Sequence, residues 1–200
     1  MNALESREQR EHRLAFFRGF LKRPREVGSV IPSSRFLEKR IVKSAELDKA
    51  RLVVELGPGT GGTTRAFLRR MQPDAQLLAI EINPHFVGLL REHLDDPRVL
   101  VHEGSAAAIQ DALEQHELPP PDVILSGIPF STMPRTLGRD ILRSARESLA
   151  PGGRFVAYQF RDVVETLGRD VFGPARVQTE ILNVPPMRVY RWDKPVEAPA

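Results

Sequence analysis

The stretch "VVELGPGTGG", residues 53–62, limits what this chain can fold into more than any other. The apolar V-V-E-L reads as the end of a buried strand, and "TTRAFLRRM" beyond the glycines reads as a helix. A strand that becomes a helix within a few residues needs backbone conformations open mainly to glycine. Glycine also lets a ligand lie directly against the main chain. Such a unit starts a crossover in a parallel sheet, and ligands of such sheets sit beyond the carboxyl ends of the strands.

The rest of the chain keeps that rhythm. "RLVVEL" (51–56), "QLLAIEI" (76–82), "RVLVHEG" (98–104), a run inside "DVILSGIPF" (122–130) and "RFVAYQF" (154–160) read as strands. Between them lie helical stretches, among them "PHFVGLLREHL" opened by Pro84, "SAAAIQDALEQH" and "RTLGRDILRSARESLA". Ser33 or Ser34 can cap a further helix over 35–45, and residues 175–192 read as two more strands joined near "VPP". The expected fold is α/β: a Rossmann-like, seven-stranded, mostly parallel sheet with helices on both faces. An N-terminal amphipathic helix is expected ahead of it, so residues 1–26 are assigned to that helix and 27–200 to the main domain.

The glycine loop has two parses. Gly57, Gly59 and Gly62 satisfy the dinucleotide pattern G-x-G-x-x-G; Gly57, Gly59 and Gly61 behind Glu55 satisfy E-x-G-x-G-x-G, with Thr63 in the last glycine place. Glu81, closing the second strand, suits both, because a carboxylate there can accept hydrogen bonds from both ribose hydroxyls. Glu55 separates them: it would repel a pyrophosphate and suits the cationic end of a methionine. The loop also lacks any arginine or lysine and any Gly-Lys-Ser/Thr. S-adenosylmethionine is the expected cofactor. No metal is expected, and the absence of cysteine excludes disulfide and thiolate chemistry.

Taken together, these motifs resemble the class I S-adenosylmethionine-dependent methyltransferases over residues from about 50 to 190. "VVELGPGTG" is similar to their first motif, "AIEINP" to their ribose-binding strand end, and "HEGSA" to their adenine-binding loop. "SGIPF" stands where amino-methylating relatives carry Asn/Asp-Pro-Pro-aromatic. The resemblance implies that Glu55, Gly57, Gly59 and Gly61 hold the amino-acid half of the cofactor. It places Glu81 and Ile82 at the ribose, and Gly104, Ser105 and Ala106 at the adenine. Ser105 departs from the aspartate frequent at that place.

A methyl sulfonium reacts by in-line displacement, so the protein must hold an acceptor lone pair against the methyl carbon and exclude water. An amine must first lose its proton, which partial desolvation favours. The carbonyls of Ser126 and Ile128 are candidates to orient an amino group, with Phe130 covering it. Tyr158 and Phe160 would add an aromatic wall suited to a methylated ammonium.

Ahead of all this stands "LAFFRGFLKRPREVGSVIPSS", residues 14–34. On a helical wheel Leu14, Phe16, Phe17, Phe20 and Leu21 share one side, with Arg18, Lys22 and Arg23 on the other. This stretch, the "YQF" and "NVPPMRVYR" (183–191) resemble the soluble bacterial phospholipid N-methyltransferases. That resemblance implies stepwise methylation of the amine of phosphatidylethanolamine toward phosphatidylcholine, at a membrane surface bound by the helix. The phenylalanines can enter the headgroup boundary by ~5–10 Å. Arg18, Lys22, Arg23 and Arg25 can each add about 1 kcal/mol on anionic lipid. Ser33 is a candidate for the lipid phosphate, and Arg188 and Tyr190 for the headgroup.

Two rivals share the cofactor half. Ribosomal RNA adenine N6-methyltransferases carry Asn-Leu/Ile-Pro-Tyr/Phe where this chain has Ser126-Gly127-Ile128-Pro129-Phe130, together with a basic helical domain. A net charge of only +3 argues against nucleic acid as partner. The other rival methylates a different lipid amine, such as an ornithine lipid. The expected protein is a monomer in the cytoplasm, peripherally attached to the inner face of the cell membrane, with anionic lipid and a phospholipid substrate as partners.

Overall fold

The apolar runs of the sequence pair into one sheet whose order is set by a reversal of chain direction. In the computed structural model, which describes residues 33–196, the strands are β1 (Leu52–Leu56), β2 (Gln76–Glu81), β3 (Val99–Glu103), β4 (Val123–Ser126), β5 (Arg154–Gln159), β6 (Arg176–Glu180) and β7 (Met187–Asp193). They lie in the order β3-β2-β1-β4-β5-β7-β6. The first five strands run parallel, and β7 enters antiparallel between β5 and β6. The chain moves outward from β1 to β3, then returns to lay β4 on the other side of β1. This switch point opens a crevice beyond the carboxyl ends of β1 and β4.

Helices cover both faces: α1 (Arg35–Ala45), α2 (Gly62–Leu68), α3 (Pro84–His93), α4 (Ile109–Gln115), α5 (Arg135–Ser148) and α6 (Val163–Phe172). The helix expected over 35–45 is α1, and its cap is Ser34, whose side chain accepts from the Leu37 N–H at 3.2 Å. Leu37, Ile41 and Ala45 recur one turn apart and bury against the sheet face carrying Val53, Leu125, Val156 and Val189. The helix ends at Glu46, in the left-handed region. The Glu46 carboxylate meets Arg154 at 2.8 Å and Arg191 at 2.7 Å, and these guanidiniums, Arg154 foremost, hold its carboxyl down at about 2.

On the opposite face Phe155, Phe172 and Trp192 form a stack with centroids 5.6–5.9 Å apart. Here the structure adds an element: α6 follows the fifth strand, where the sequence reading assigned no helix. Gly168, in the middle of α6, lies so close to the indole that an added Cβ would come within 2.6 Å of the Trp192 ring. Gly168→Ala is therefore expected to cost about 1–3 kcal/mol through overpacking, despite alanine's better helix propensity. Urea unfolding read by the fluorescence of Trp192 checks this.

The expected amphipathic helix, with Phe16, Phe17, Phe20, Arg18, Lys22, Arg23 and Arg25, lies outside the described residues, as does the boundary at 26/27. Among the described residues, no helix is long and apolar enough to cross a membrane. Nor do His, Asp and Glu side chains there gather into a group of three or more able to hold a metal ion.

Candidate active site

The glycine loop sits at the mouth of the switch-point crevice. Glu55, the fourth residue of β1, is fully buried. Beyond it Gly57, Gly59 and Gly61 all have positive φ, at 69°, 59° and 78°. The Gly57 N–H donates to the Ile80 carbonyl at 2.9 Å, which ties the start of the loop to β2. A Cβ on Gly61 would come within 3.0 Å of Leu90, so the loop also packs against α3. Gly59 differs from both. Nothing lies within 4 Å of the place its Cβ would occupy, so its main chain faces open space.

Glu81, at the carboxyl end of β2, is buried and clamps this loop. Its Oε2 accepts from the Gly59 N–H at 3.0 Å and its Oε1 from the Asn83 N–H at 2.9 Å. Burial raises its carboxyl above the ordinary range, while these backbone donors oppose the rise. The residue expected at the ribose thus also holds the loop in shape. Ile82 follows it, half-buried, and Asn83 caps α3 by accepting from the His85 N–H at 3.0 Å.

Glu55 is the most unusual group in the crevice. One oxygen accepts from the Thr63 hydroxyl at 3.2 Å, and the other has no hydrogen-bond partner. Burial pushes its carboxyl up to about 7 and the charge of Glu81 adds to the rise; the hydroxyls of Thr64, which lies near but makes no hydrogen bond to it, and Thr63, which donates to it, oppose it. The Thr63 hydroxyl also lies 3.5 Å from that of Tyr158, at the end of β5. Burial, followed by the charge of Glu55, raises the Tyr158 phenol, so it stays protonated. Thr63 entered the sequence reading only as a substitute for a glycine; here its hydroxyl joins the two buried groups.

The third strand end supplies Gly104, whose N–H donates to the Glu81 carbonyl at 2.9 Å. A Cβ there would lie 2.5 Å from the His102 ring, so a side chain at this position would displace that imidazole. The Ser105 hydroxyl accepts from the Ala107 N–H at 3.2 Å and shapes the turn, while Ala106 is buried.

Beyond β4 the "SGIPF" segment is tightly held. Ser126 is fully buried, and its hydroxyl accepts from the Ile128 N–H at 3.4 Å. The Ile128 carbonyl accepts from the side-chain amide of buried Gln159. Gly127 lies under Tyr158; a Cβ there would fall 2.7 Å from the phenol oxygen. Phe130 is 1% exposed and packs beside Gly138 of α5, so its ring is core, whereas Phe160 is 54% exposed at the rim. Gln159 escaped the sequence reading. A polar residue closing the apolar run of residues 155–158 was the available signal.

Candidates farther from the crevice separate. Arg188 pairs with Gln159 across β5 and β7, half-exposed and 3.8 Å from Asp162. Tyr190 is buried against Trp192, with centroids 6.0 Å apart, so its ring belongs to the core rather than to an open headgroup site. Ser33 is half-buried just ahead of the cap of α1.

These features fit S-adenosylmethionine. An unpartnered buried carboxylate oxygen suits the cationic amino-acid end, open space over Gly59 admits the ligand to the main chain, and Glu81 stands at the next strand end. When bound, the cofactor supplies an electrophilic methyl group on a positively charged sulfur.

Comparison with known proteins agrees. The family described as "Methyltransferase domain" matches residues 54–155. An ornithine lipid N-methyltransferase of Singulisphaera acidiphila is 32% identical over 177 residues, covering 88% of this chain and 92% of that protein. A ribosomal RNA small subunit methyltransferase A of Streptococcus equi is 30% identical over 136 residues, covering 66% of this chain but only 44% of its relative. Among solved structures, the N-methyltransferase NodS of Bradyrhizobium japonicum with S-adenosyl-L-homocysteine superposes with a TM-score of 0.66 at 14% identity, covering 90% of this chain and 98% of that one. A precorrin-6y C5,15-methyltransferase of Geobacter metallireducens gives a TM-score of 0.66 at 16% identity, covering 84% and 93%. The chain belongs to the S-adenosylmethionine-dependent methyltransferases.

Proposed function

We propose that this enzyme methylates the amino group of a membrane lipid, with an ornithine lipid as the favoured acceptor. The near end-to-end match to the ornithine lipid N-methyltransferase carries this reading, whereas the ribosomal RNA enzymes leave more than half their length unmatched. It reorders the expectation from sequence, which put phosphatidylethanolamine first, with ribosomal RNA adenine and another lipid amine such as ornithine lipid as the alternatives.

The chain's own groups suit an amine acceptor. Gln159 and Ser126 fix the main chain from 126 to 128, so the floor of the acceptor site is rigid. Tyr158 offers a neutral hydroxyl beside it, and Phe160 an exposed ring at the rim. An ammonium entering this low-dielectric crevice is pushed toward its neutral, nucleophilic form, because burial disfavours the charge. Rigid surroundings favour transfer by holding the lone pair in line and excluding water. Residues 14–25, with their phenylalanines and arginines, would supply attachment to anionic lipid.

The test offers labelled S-adenosylmethionine with vesicles of ornithine lipid, vesicles of phosphatidylethanolamine, and ribosomal RNA. Label is expected in ornithine lipid at the highest rate. Label in ribosomal RNA with none in either lipid would overturn the reading.

A further inference from the structure

The turn between β6 and β7 is built inside out. Its polar residue is buried: Asn183 is 1% exposed, accepts from the Ser34 N–H at 2.9 Å and donates to the Pro185 carbonyl at 3.0 Å. Glu180, just before the turn, accepts from the Leu182 N–H at 2.9 Å and pairs with Arg40 of α1 at 2.9 Å. The apolar residues face outward. Ile181 is 72% exposed, Leu182 57% and Val184 88%. Internal hydrogen bonds thus brace a short prong whose outside is aliphatic, an arrangement unfavourable in water unless something covers it.

Register places the prong. β6 runs parallel to β5 through the antiparallel β7, with Gln159 opposite Arg188 and Glu180 opposite Met187. The turn therefore projects from the edge of the sheet at which the crevice opens. Two strand spacings of about 4.8 Å separate the end of β6 from that of β5 and its neighbour Phe160. Phe36, 39% exposed, stands in the first turn of α1, whose cap residue Ser34 is bonded to Asn183.

We propose that this prong is a membrane contact: Ile181, Leu182 and Val184 enter the headgroup layer of an anionic bilayer and set the height of the crevice above it. The inference rests on the lipid-amine reading. The surroundings carry charge of the required sign. Arg35, Lys39 and Arg161 are exposed at or near the same rim, and Arg188 is half-exposed. Three acidic groups stand among them: Asp162 opposite Arg188, half-buried Glu38 in the first turn of α1, and Glu180, which is buried and paired with Arg40. Aliphatic tips with basic neighbours match the two attractions that hold proteins at anionic membranes. A second copy of the chain suits the prong less well. Three projecting side chains fall far short of the roughly 800 Å² per partner of a stable protein interface.

The chain has no cysteine, so V184C carries a unique thiol for an environment-sensitive fluorophore. The labelled full-length protein is titrated with vesicles of phosphatidylglycerol and phosphatidylethanolamine, and with vesicles of phosphatidylcholine alone. Blue-shifted emission with a several-fold rise in intensity is expected on the anionic vesicles. Replacing Ile181, Leu182 and Val184 together by serine should raise the vesicle concentration for half-binding about tenfold. Transfer to a short-chain, monomeric lipid amine should stay unchanged in that variant. Unshifted emission on vesicles that sediment the protein overturns the proposal, as does a shift that follows protein concentration without vesicles. Methyl transfer to lipid without an emission shift defeats the prong alone; a shift without transfer to any lipid defeats the lipid-amine reading.

Discussion

Glu81→Ala is expected to weaken S-adenosylmethionine binding by about 100-fold or more, which corresponds to about 2.8 kcal/mol. The carboxylate accepts the Gly59 and Asn83 N–H groups at the same time. Removing it leaves two half-buried donors without this partner, each costing at most about 1–3 kcal/mol, the penalty of a fully buried donor. The loop that faces the cofactor then loses its shape, and the carboxylate expected at the ribose is lost as well. Melting temperature should fall with affinity, whereas a residue that touched only ligand would leave melting unchanged. Glu81→Gln keeps one carbonyl oxygen and should lie between the two. Calorimetry with S-adenosylmethionine and thermal melting of the free protein check both parts. Unchanged affinity in Glu81→Ala would remove the residue from the site.

Glu55→Gln should move stability and binding in opposite directions. In the folded protein the Glu55 carboxyl titrates at about 7, above its ordinary 4.5. The folded chain therefore holds a proton that the unfolded chain releases, and stability falls as pH rises from about 4.5 to about 7. Below that window the burial carries no charge penalty; above it the penalty is complete, about 3 kcal/mol at 1.36 kcal/mol for each pH unit. The neutral amide removes it. Glu55→Gln should thus be more stable than the parent at pH 8 by about that amount and equal to it at pH 4.5, as urea titrations at the two values would show. Cofactor affinity should drop, because the oxygen available to a cationic amino group has lost its charge. In the parent, a cation bound there should lower the carboxyl and release a proton near pH 7. Calorimetric heats would then depend on the buffer. Equal stability at both pH values would show that the group is not buried with this penalty.

Most of the sheet was legible because local rules and tertiary structure agree. Ser34 caps α1, Pro84 opens α3, and the glycines after β1 take the positive φ that a strand-to-helix turn requires. Helix α6 was not legible. Gly168 interrupts its pattern, and the reason for that glycine is the ring of Trp192, 24 residues away in sequence and adjacent only after β7 has paired. The aromatic residues divide for a related reason. Phe130 and Tyr190 stand near motifs as prominently as Phe160, but burial depends on strand register and helix placement, which those motifs do not encode. Gln159 illustrates the same limit: its partner, the Ile128 carbonyl, is 31 residues earlier on a neighbouring strand end.

The position of β7 has a consequence for biogenesis. Strand β7 comes later in the chain than all the strands around it, yet it lies inside the sheet, between β5 and β6. Until residues 187–193 have emerged from the ribosome, β5 has an open edge, β6 has no partner, and the stack of Phe155 and Phe172 lacks its indole. A nascent chain arrested before that point would present an apolar, unpaired strand border to its surroundings, a template for wrong pairing. Translation speed between the codons for β5 and those for β7, and chaperone occupancy at that stage, should therefore affect yield.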